Sequence, residues 1–313
     1  MRDDPTLNAR ARAYAKELSP YFNLEDKKQK YRADKLFKRL RRKVGKAIED
    51  FNMIEPHDKV MVCISGGKDS YALLDLLLSL KRSAPFPFEL VPVHLNAGFP
   101  NSPEERVRGH LERTGLEYVW IDRPVFTVAK EKMNPQKKTL CSICSRLRRG
   151  YLYATAREIG ATKVALGHHR DDLLATFFLN LFYAGSMKTM PPILRTDDDT
   201  LTVIRPLAYC RESDLSELSK FKDYPVLPKG LCGYGENEER AAMLRMIKAW
   251  EKENPKRPDI IFKALKNVSP SHLLDRRLFD FVNLRSGRAL GEGSSKQLRF
   301  ITTDRAPESA DET

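Results

Sequence analysis

The sequence predicts an α/β fold, a doubly wound and mostly parallel sheet with helical extensions at both ends of the chain. Three observations carry that expectation. Short apolar runs alternate with helical patterns between residues 60 and 206, and such alternation builds a parallel sheet covered by helices on both faces. The first run, 60–64, breaks at Ser65-Gly66-Gly67-Lys68-Asp69-Ser70 and restarts as a leucine-rich helix. The run at 163–167 ends similarly, at Gly167-His168-His169-Arg170-Asp171-Asp172. Two polar loops at strand ends mark a ligand crevice at the carboxyl edge of the sheet.

Taken in order, residues 1–34 read as a polar arm and 35–56 as a basic N-terminal helix that ends near Asp50. Between residues 27 and 46 there are eleven Lys and Arg residues and one acid, Asp34. Leu36, Leu40, Val44 and Ile48 recur every four residues there, so one helical face is apolar and the others are charged. Residues 57–222 form the α/β domain, with strands at 60–64, 89–95, 118–121, 163–167 and 201–206. Its helices fall at 70–81, 103–113, 145–159 and 172–183, and an insertion precedes the third. Residues 223–281 read as a C-terminal helical region, and the Gly, Ser and charge content of 282–313 predicts a disordered tail.

The 313 residues carry a net charge of +13, from 55 basic and 42 acidic side chains, which favours a polyanionic partner with nucleic acid foremost. The basic stretch at 27–46 is read as an RNA backbone contact. No apolar run approaches the roughly 20 residues that span a bilayer, so no membrane span is expected. The N-terminus lacks the apolar core of a secretory signal. Five cysteines, an odd number, point to reduced thiols or metal ligands in the cytoplasm rather than to a disulfide scaffold.

The loop at 65–70 has the chemistry of a phosphate cradle. A strand that stops at two glycines and restarts as a helix aims backbone N–H groups and a helix N-terminus at one point. Gly66 and Gly67 remove Cβ atoms, Lys68 adds a point charge, and Asp69 is suited to hold Mg²⁺ against phosphate oxygens. The spacing does not fit G-x-x-x-x-G-K-[ST]. SGGKDS resembles instead the pyrophosphate loop of the PP-loop ATP pyrophosphatases. That likeness implies an adenine nucleotide alpha hydrolase-like fold and ATP cleaved between its α and β phosphates to adenylate a carbonyl oxygen.

At the second loop, Asp172 is expected to order the nucleotide or Mg²⁺, with Gly167 and His168 in support; the alternative makes an aspartate the N-cap of the next helix. His169 is given less weight. His94, late in the second strand, lies near the adenosine or is structural. Cys141-Ser142-Ile143-Cys144, followed by Arg146, Arg148 and Arg149, lets two thiolates reach one metal centre among cations. No second C-x-x-C supplies a zinc site, so a [4Fe–4S] cluster with three thiolate ligands fits better. The third comes from Cys63, Cys210 or Cys232. Cys63 lies in a strand core, Cys210 remains open, and Cys232, in a loop that can fold back, is preferred.

Long stretches resemble the tRNA 2-thiocytidine biosynthesis (TtcA) family of PP-loop ATPases. They are FNMI, VMVCISGGKDSYALLDLLLSL, CSICSRLRRGYLYATAREIGATKVALGHHRDD, the MPP of 190–192, VIRPLAYCRE, LPKGLCG and NVSPSHLLD, together covering about 35–275. The resemblance implies ATP and Mg²⁺ at 65–70, a cluster on Cys141, Cys144 and Cys232, and thiolation of cytidine 32 of tRNA. It implies that AMP transfer activates the C2 oxygen and that sulfur displaces it, with Lys68, Asp69, Arg148 and Asp172 as the working residues. The partners implied are tRNA and a sulfur donor such as a cysteine desulfurase, and the assembly is compatible with a homodimer. One departure is visible: where the family reads Pro-Cys-x-Leu-Cys-Gly, this chain has Pro228-Lys229-Gly230-Leu231-Cys232-Gly233 and keeps only the second cysteine. The rival readings are a 2-thiouridine enzyme, which needs additional cysteine pairs, a lysidine-type amine ligase, which needs no cysteines, and a non-enzymatic RNA scaffold.

Overall fold

A computed structural model of the chain describes residues 26–133, 140–234 and 238–284. Most of the expected arm at 1–34 and tail at 282–313 lies outside the described residues. Contacts divide the chain into two compact units, Met1–Pro255 and Lys256–Thr313. The second contains α9 (Arg257–Ala264), with Pro258 at its start, and a short 3-10 turn, Pro270–His272. The first contains everything that follows.

Its sheet has six strands: β1 (Lys59–Ile64), β2 (Glu89–Asn96), β3 (Val119–Asp122), β4 (Lys163–Ala165), β5 (Ile193–Arg195) and β6 (Thr202–Ile204). They lie in the order β3-β2-β1-β4-β6-β5, all neighbours parallel except the β5–β6 pair. The chain winds outward from β1 to β2 and β3, then crosses to β4 on the other side. The switch point therefore lies between β1 and β4, where open α/β sheets bind ligands. Both polar loops leave the sheet there.

Pleating splits β1 between two cores. Val60, Val62 and Ile64 join the layer made by α1 (Lys27–Asp50), α2 (Lys68–Lys81), α3 (Glu104–Thr114) and α7 (Glu212–Lys222). Met61 and Cys63 face the opposite layer, where α4 (Val125–Glu131) contributes Val125 and α5 (Leu140–Glu158) contributes Ala156. Two further helices, α6 (Arg170–Tyr183) and α8 (Glu238–Glu253), pack on each other, with Phe178 and Trp250 edge to face at 5.2 Å.

Several elements depart from the expected boundaries. Helix α1 starts at Lys27, because the Asp26 side chain accepts the Lys28 N–H at 2.8 Å and caps it. Helix α5 spans Leu140–Glu158, so Cys141 and Cys144 lie within its first two turns rather than in a preceding insertion. The three-residue edge strand β5 and helices α4 and α7 were not expected. The first unit also runs past 223. Tyr224 donates its hydroxyl to Asp75 at 2.8 Å and Lys222 sits 3.2 Å from the same carboxylate, which ties 222–227 onto α2.

His110 is packed between Tyr71 and Tyr224, at ring distances of 4.6 and 6.0 Å. Burial pushes its pKa down from 6.5 to about 4. It stays neutral in the fold while the unfolded chain takes up a proton below pH 6.5, so stability is complete above that value and falls as pH drops toward 4. Urea unfolding at pH 7 and pH 4.5 is expected to show a loss on the order of 2–3 kcal/mol from this residue. The His110→Phe chain should lose that part of the pH dependence; an unchanged pH dependence in the variant contradicts the assignment.

Candidate active site

The loop after β1 is shaped by its own hydroxyls. Ser70 Oγ accepts the Ser65 N–H at 3.2 Å and donates to the Gly67 carbonyl at 2.8 Å, while Ser65 Oγ accepts the Gly67 N–H at 3.3 Å. Gly67 then caps α2, whose first-turn N–H groups point out of the helix start. Gly66 adopts φ of +76°, and a Cβ there would lie 2.4 Å from Leu227 Cδ1. The Leu227 N–H donates to the Gly66 carbonyl at 2.9 Å, so the 222–227 segment tied down by Asp75 seats directly on the loop. Gly167 meets the same loop from β4: its Cβ would lie 3.2 Å from the backbone of Asp69 and Ser70. A side chain there would force the two backbones apart by a few tenths of an ångström, so glycine favours the close approach of β4 to the start of α2.

Beyond the glycines the charges are paired. Lys68 Nζ lies 3.0 and 2.9 Å from the two Asp69 oxygens and 3.7 Å from Glu212. Glu212 also holds Lys248 of α8 at 3.1 Å, and its backbone N–H donates to Asp171 at 2.7 Å. Burial pushes the Glu212 carboxyl up, but Lys248 and Lys68 outweigh it and hold its pKa below the usual value. Nothing in the sequence pointed to Glu212 or Lys248, because only the packing of α7 beside α6 and α8 brings them to the loop.

The N-cap of α6 is His169 rather than an aspartate, and Asp172, the third residue of the helix, reaches back to it in a capping box. Its Oδ2 accepts the His169 N–H at 3.0 Å and its Oδ1 accepts from Arg240 at 2.5 Å. Burial raises its pKa, but His169 and Arg240 prevail and keep it lowered. His168 is half-buried, its buried Nδ1 lacks a hydrogen-bond partner, and burial holds its pKa near 4. His169, given less weight from sequence, is the histidine that joins the two loops. Its ring lies 4.0 Å from Asp69, 3.9 Å from Asp171 and 3.4 Å from Asp172.

An open cleft of about 250 Å³ lies over the glycines, lined by Ser65, Gly66, Gly67, Arg148, Leu231 and Cys232 among others. His94 and Glu104 lie on its wall. The His94 ring is 2.8 Å from the Ile64 carbonyl through Nδ1 and 2.6 Å from Glu104 through Nε2, so it braces the wall with both nitrogens. Burial raises the Glu104 pKa, but the bonds from His94 and Ser102 outweigh it and leave it lowered.

The cysteines separate by environment. Cys210 is buried in the core layer of α1 and α2, away from the layer that Cys144 packs against. Burial pushes both Cys210 and Cys63 up to about 12, which makes them core thiols. Cys141 is exposed, and Cys144 and Cys232 are half-buried. Burial raises the Cys144 pKa, Arg148 lowers it, and Cys141 and Cys232 both raise it, so three sulfurs share one electrostatic neighbourhood with Arg148. Among the described residues, no group of three His, Cys, Asp or Glu side chains is set to hold a metal ion. Cys141, Cys144 and Cys232, outside the buried core, supply the thiolate donors that hold an iron–sulfur cluster. Of the three candidates for a third ligand, Cys232 is the one that shares a cleft with the loop glycines.

The comparisons with known proteins agree with this architecture. A PP-loop domain family matches residues 36–225. The chain is 53% identical over 283 residues to the tRNA-cytidine(32) 2-sulfurtransferase of Actinobacillus succinogenes, covering 90% of each protein. It is 55% identical over 252 residues to the enzyme of the same description from Azotobacter vinelandii, covering 80% of this chain and 92% of that one. Among solved structures, it resembles the U34-tRNA thiolase NcsA of Methanococcus maripaludis, which carries a [4Fe–4S] cluster, with a TM-score of 0.58 and 20% identity. That match covers 74% of this chain and 78% of the other. It shows a shared fold.

Proposed function

The chain belongs to the tRNA-cytidine(32) 2-sulfurtransferase family, and from that premise we propose that its phosphate-loop cleft and its three accessible thiols form one active site that converts cytidine 32 of tRNA to 2-thiocytidine. It is an ATP-dependent tRNA sulfurtransferase with a PP-loop ATP-binding domain. The observation that carries the reading is the single cleft lined by Gly66, Gly67, Arg148 and Cys232.

The C2 oxygen of cytidine attacks the α-phosphorus of ATP, the bond to the β-phosphate oxygen breaks, and pyrophosphate departs. The N–H groups at the start of α2 and the Lys68 ammonium offset the charge that builds on it. Ser65 and Ser70 keep the loop open by bonding within it. Asp69, paired with Lys68 in this structure, would hold Mg²⁺, which would offset phosphate charge. Gly167 lets the two loops meet, and Asp172 and His168 support the second loop. Cys141, Cys144 and Cys232 would hold a [4Fe–4S] cluster, which would supply sulfur-transfer chemistry beside the cleft. Arg148, beside both the thiols and the cleft, steadies the adenylated base. Sulfane sulfur from the donor, reduced by two electrons from a thiol reductant, attacks C2 as hydrosulfide, and the C2–O bond breaks to release AMP and a proton. The sulfur comes from a donor such as a cysteine desulfurase, and the reaction belongs to the cytoplasm, where thiols stay reduced.

Accessible thiols beside the loop distinguish this reading from an amine ligase, which has no use for them. Among the described residues, no helix is long and apolar enough to cross a membrane. The test is anaerobic reconstitution with iron and sulfide, followed by ATP, tRNA and nucleoside mass spectrometry. The expected product is 2-thiocytidine with tRNA-dependent pyrophosphate release. A chain that takes up iron and sulfide yet forms another product, or none, overturns the proposal.

A further inference from the structure

Helix α1 carries charges that its own fold does not use. Its buried seam is Ala33, Leu36, Phe37, Leu40, Val44 and Ala47. At 3.6 residues per turn, Lys28, Lys35 and Arg42 stand opposite that seam, two turns and about 10.5 Å apart, and all three are exposed. Arg41 bonds the Ser83 hydroxyl, and five other cations divide between two uses. Arg39 and Lys43 reach Asp214 at 2.8 and 3.4 Å, and Arg32 reaches Glu217 at 3.0 Å, which anchors the helix flank to α7. Lys38 and Lys46 pair along the helix with Asp34 and Asp50, at 2.6 and 2.9 Å. Lys28, Lys35 and Arg42 face no carboxylate among the described residues.

The arrangement also opposes the helix dipole. The first turn has no acid and the last turn no base, while Lys27, Lys28 and Lys30 crowd the N-terminal end and Glu49 and Asp50 the other. Each such placement destabilises a helix instead of supporting it. A stripe of one sign, kept against that cost, suits a polyanion with regularly spaced charges.

We propose that Lys28, Lys35 and Arg42 form a docking stripe for the tRNA phosphate backbone, outside the cleft. This rests on tRNA being the substrate, as argued above. Phosphate contacts of this kind orient a nucleic acid without reading its sequence, so the stripe sets the pose while the cleft selects the base. An anionic membrane suits the helix less well, because its apolar seam is already buried in the core and has no face to insert.

The test is tRNA binding by fluorescence anisotropy over a salt series, with the full chain and its K28Q/K35Q/R42Q variant. Loss of three phosphate contacts is expected to flatten the slope of log affinity against log salt by about 2–3 and to weaken binding at least roughly tenfold near 0.15 M salt. ATP binding is expected to be unchanged. The R39Q/K43Q variant should lose thermal stability and keep the wild-type slope. If the triple variant keeps the wild-type slope, or if R39Q/K43Q loses it instead, the stripe is refuted while tRNA binding by the wild type still stands. If the wild type binds no tRNA, the functional reading fails with it. A triple variant that loses binding to phosphatidylserine vesicles but keeps its tRNA slope overturns the proposal in favour of a membrane.

Discussion

Lys68→Ala is expected to lower kcat for tRNA thiolation by about 10²–10³-fold, the usual cost of removing one charge aimed at a transition state. The effect falls on the adenylation step, so tRNA-dependent pyrophosphate release should drop by the same factor. The fold should tolerate the change. Without the ammonium, Glu212 keeps Lys248 at 3.1 Å and Asp69 keeps His169 at 4.0 Å, so neither carboxylate is stranded. Lys68→Arg is not expected to restore the rate, because a planar fork does not reproduce a compact point charge in a loop this closely packed. Pyrophosphate release within about threefold of the wild type, on a scale where tenfold is about 1.4 kcal/mol, contradicts the role of Lys68.

Cys144→Ala is expected to act on the other half of the reaction. Thiolation should fall by at least about 10³-fold, roughly 4 kcal/mol of barrier, while tRNA-dependent pyrophosphate release persists. The separation follows from position. Cys144 is the fifth residue of α5 and shares its field with Cys141, Cys232 and Arg148. The phosphate loop is held by hydrogen bonds within the loop and by Leu227. Cys144 is half-buried, so the lost side chain leaves no large core cavity. Iron and sulfide content after anaerobic reconstitution, measured beside activity, distinguishes loss of a ligand from misfolding. Retention of full thiolation in this variant removes the thiols from the mechanism.

Much of this architecture was legible in the residues. β1, β2 and the phosphate loop could be read because apolar runs end at glycine-bearing polar turns, and both features depend on local chemistry. Leu227, Glu212 and Lys248 were not legible, since each reaches the loop only through packing of segments far away in sequence. His169 was undervalued because a histidine pair gives no sign of which ring turns inward; its place as the residue before α6 decides that. β5 escaped notice because three residues at a sheet edge carry too little pattern. Cys232 was preferred to Cys210 because its loop can fold back, and the full burial of Cys210 is consistent with that preference.

The central claim is that Cys232 brings the sulfur chemistry to the nucleotide cleft. It is tested most directly by nucleoside mass spectrometry of tRNA from a strain that lacks this protein, complemented with the wild type, Cys232→Ala or Cys210→Ala. The account predicts 2-thiocytidine with the wild type and with Cys210→Ala, and none with Cys232→Ala. Wild-type levels of 2-thiocytidine in the Cys232→Ala strain contradict it.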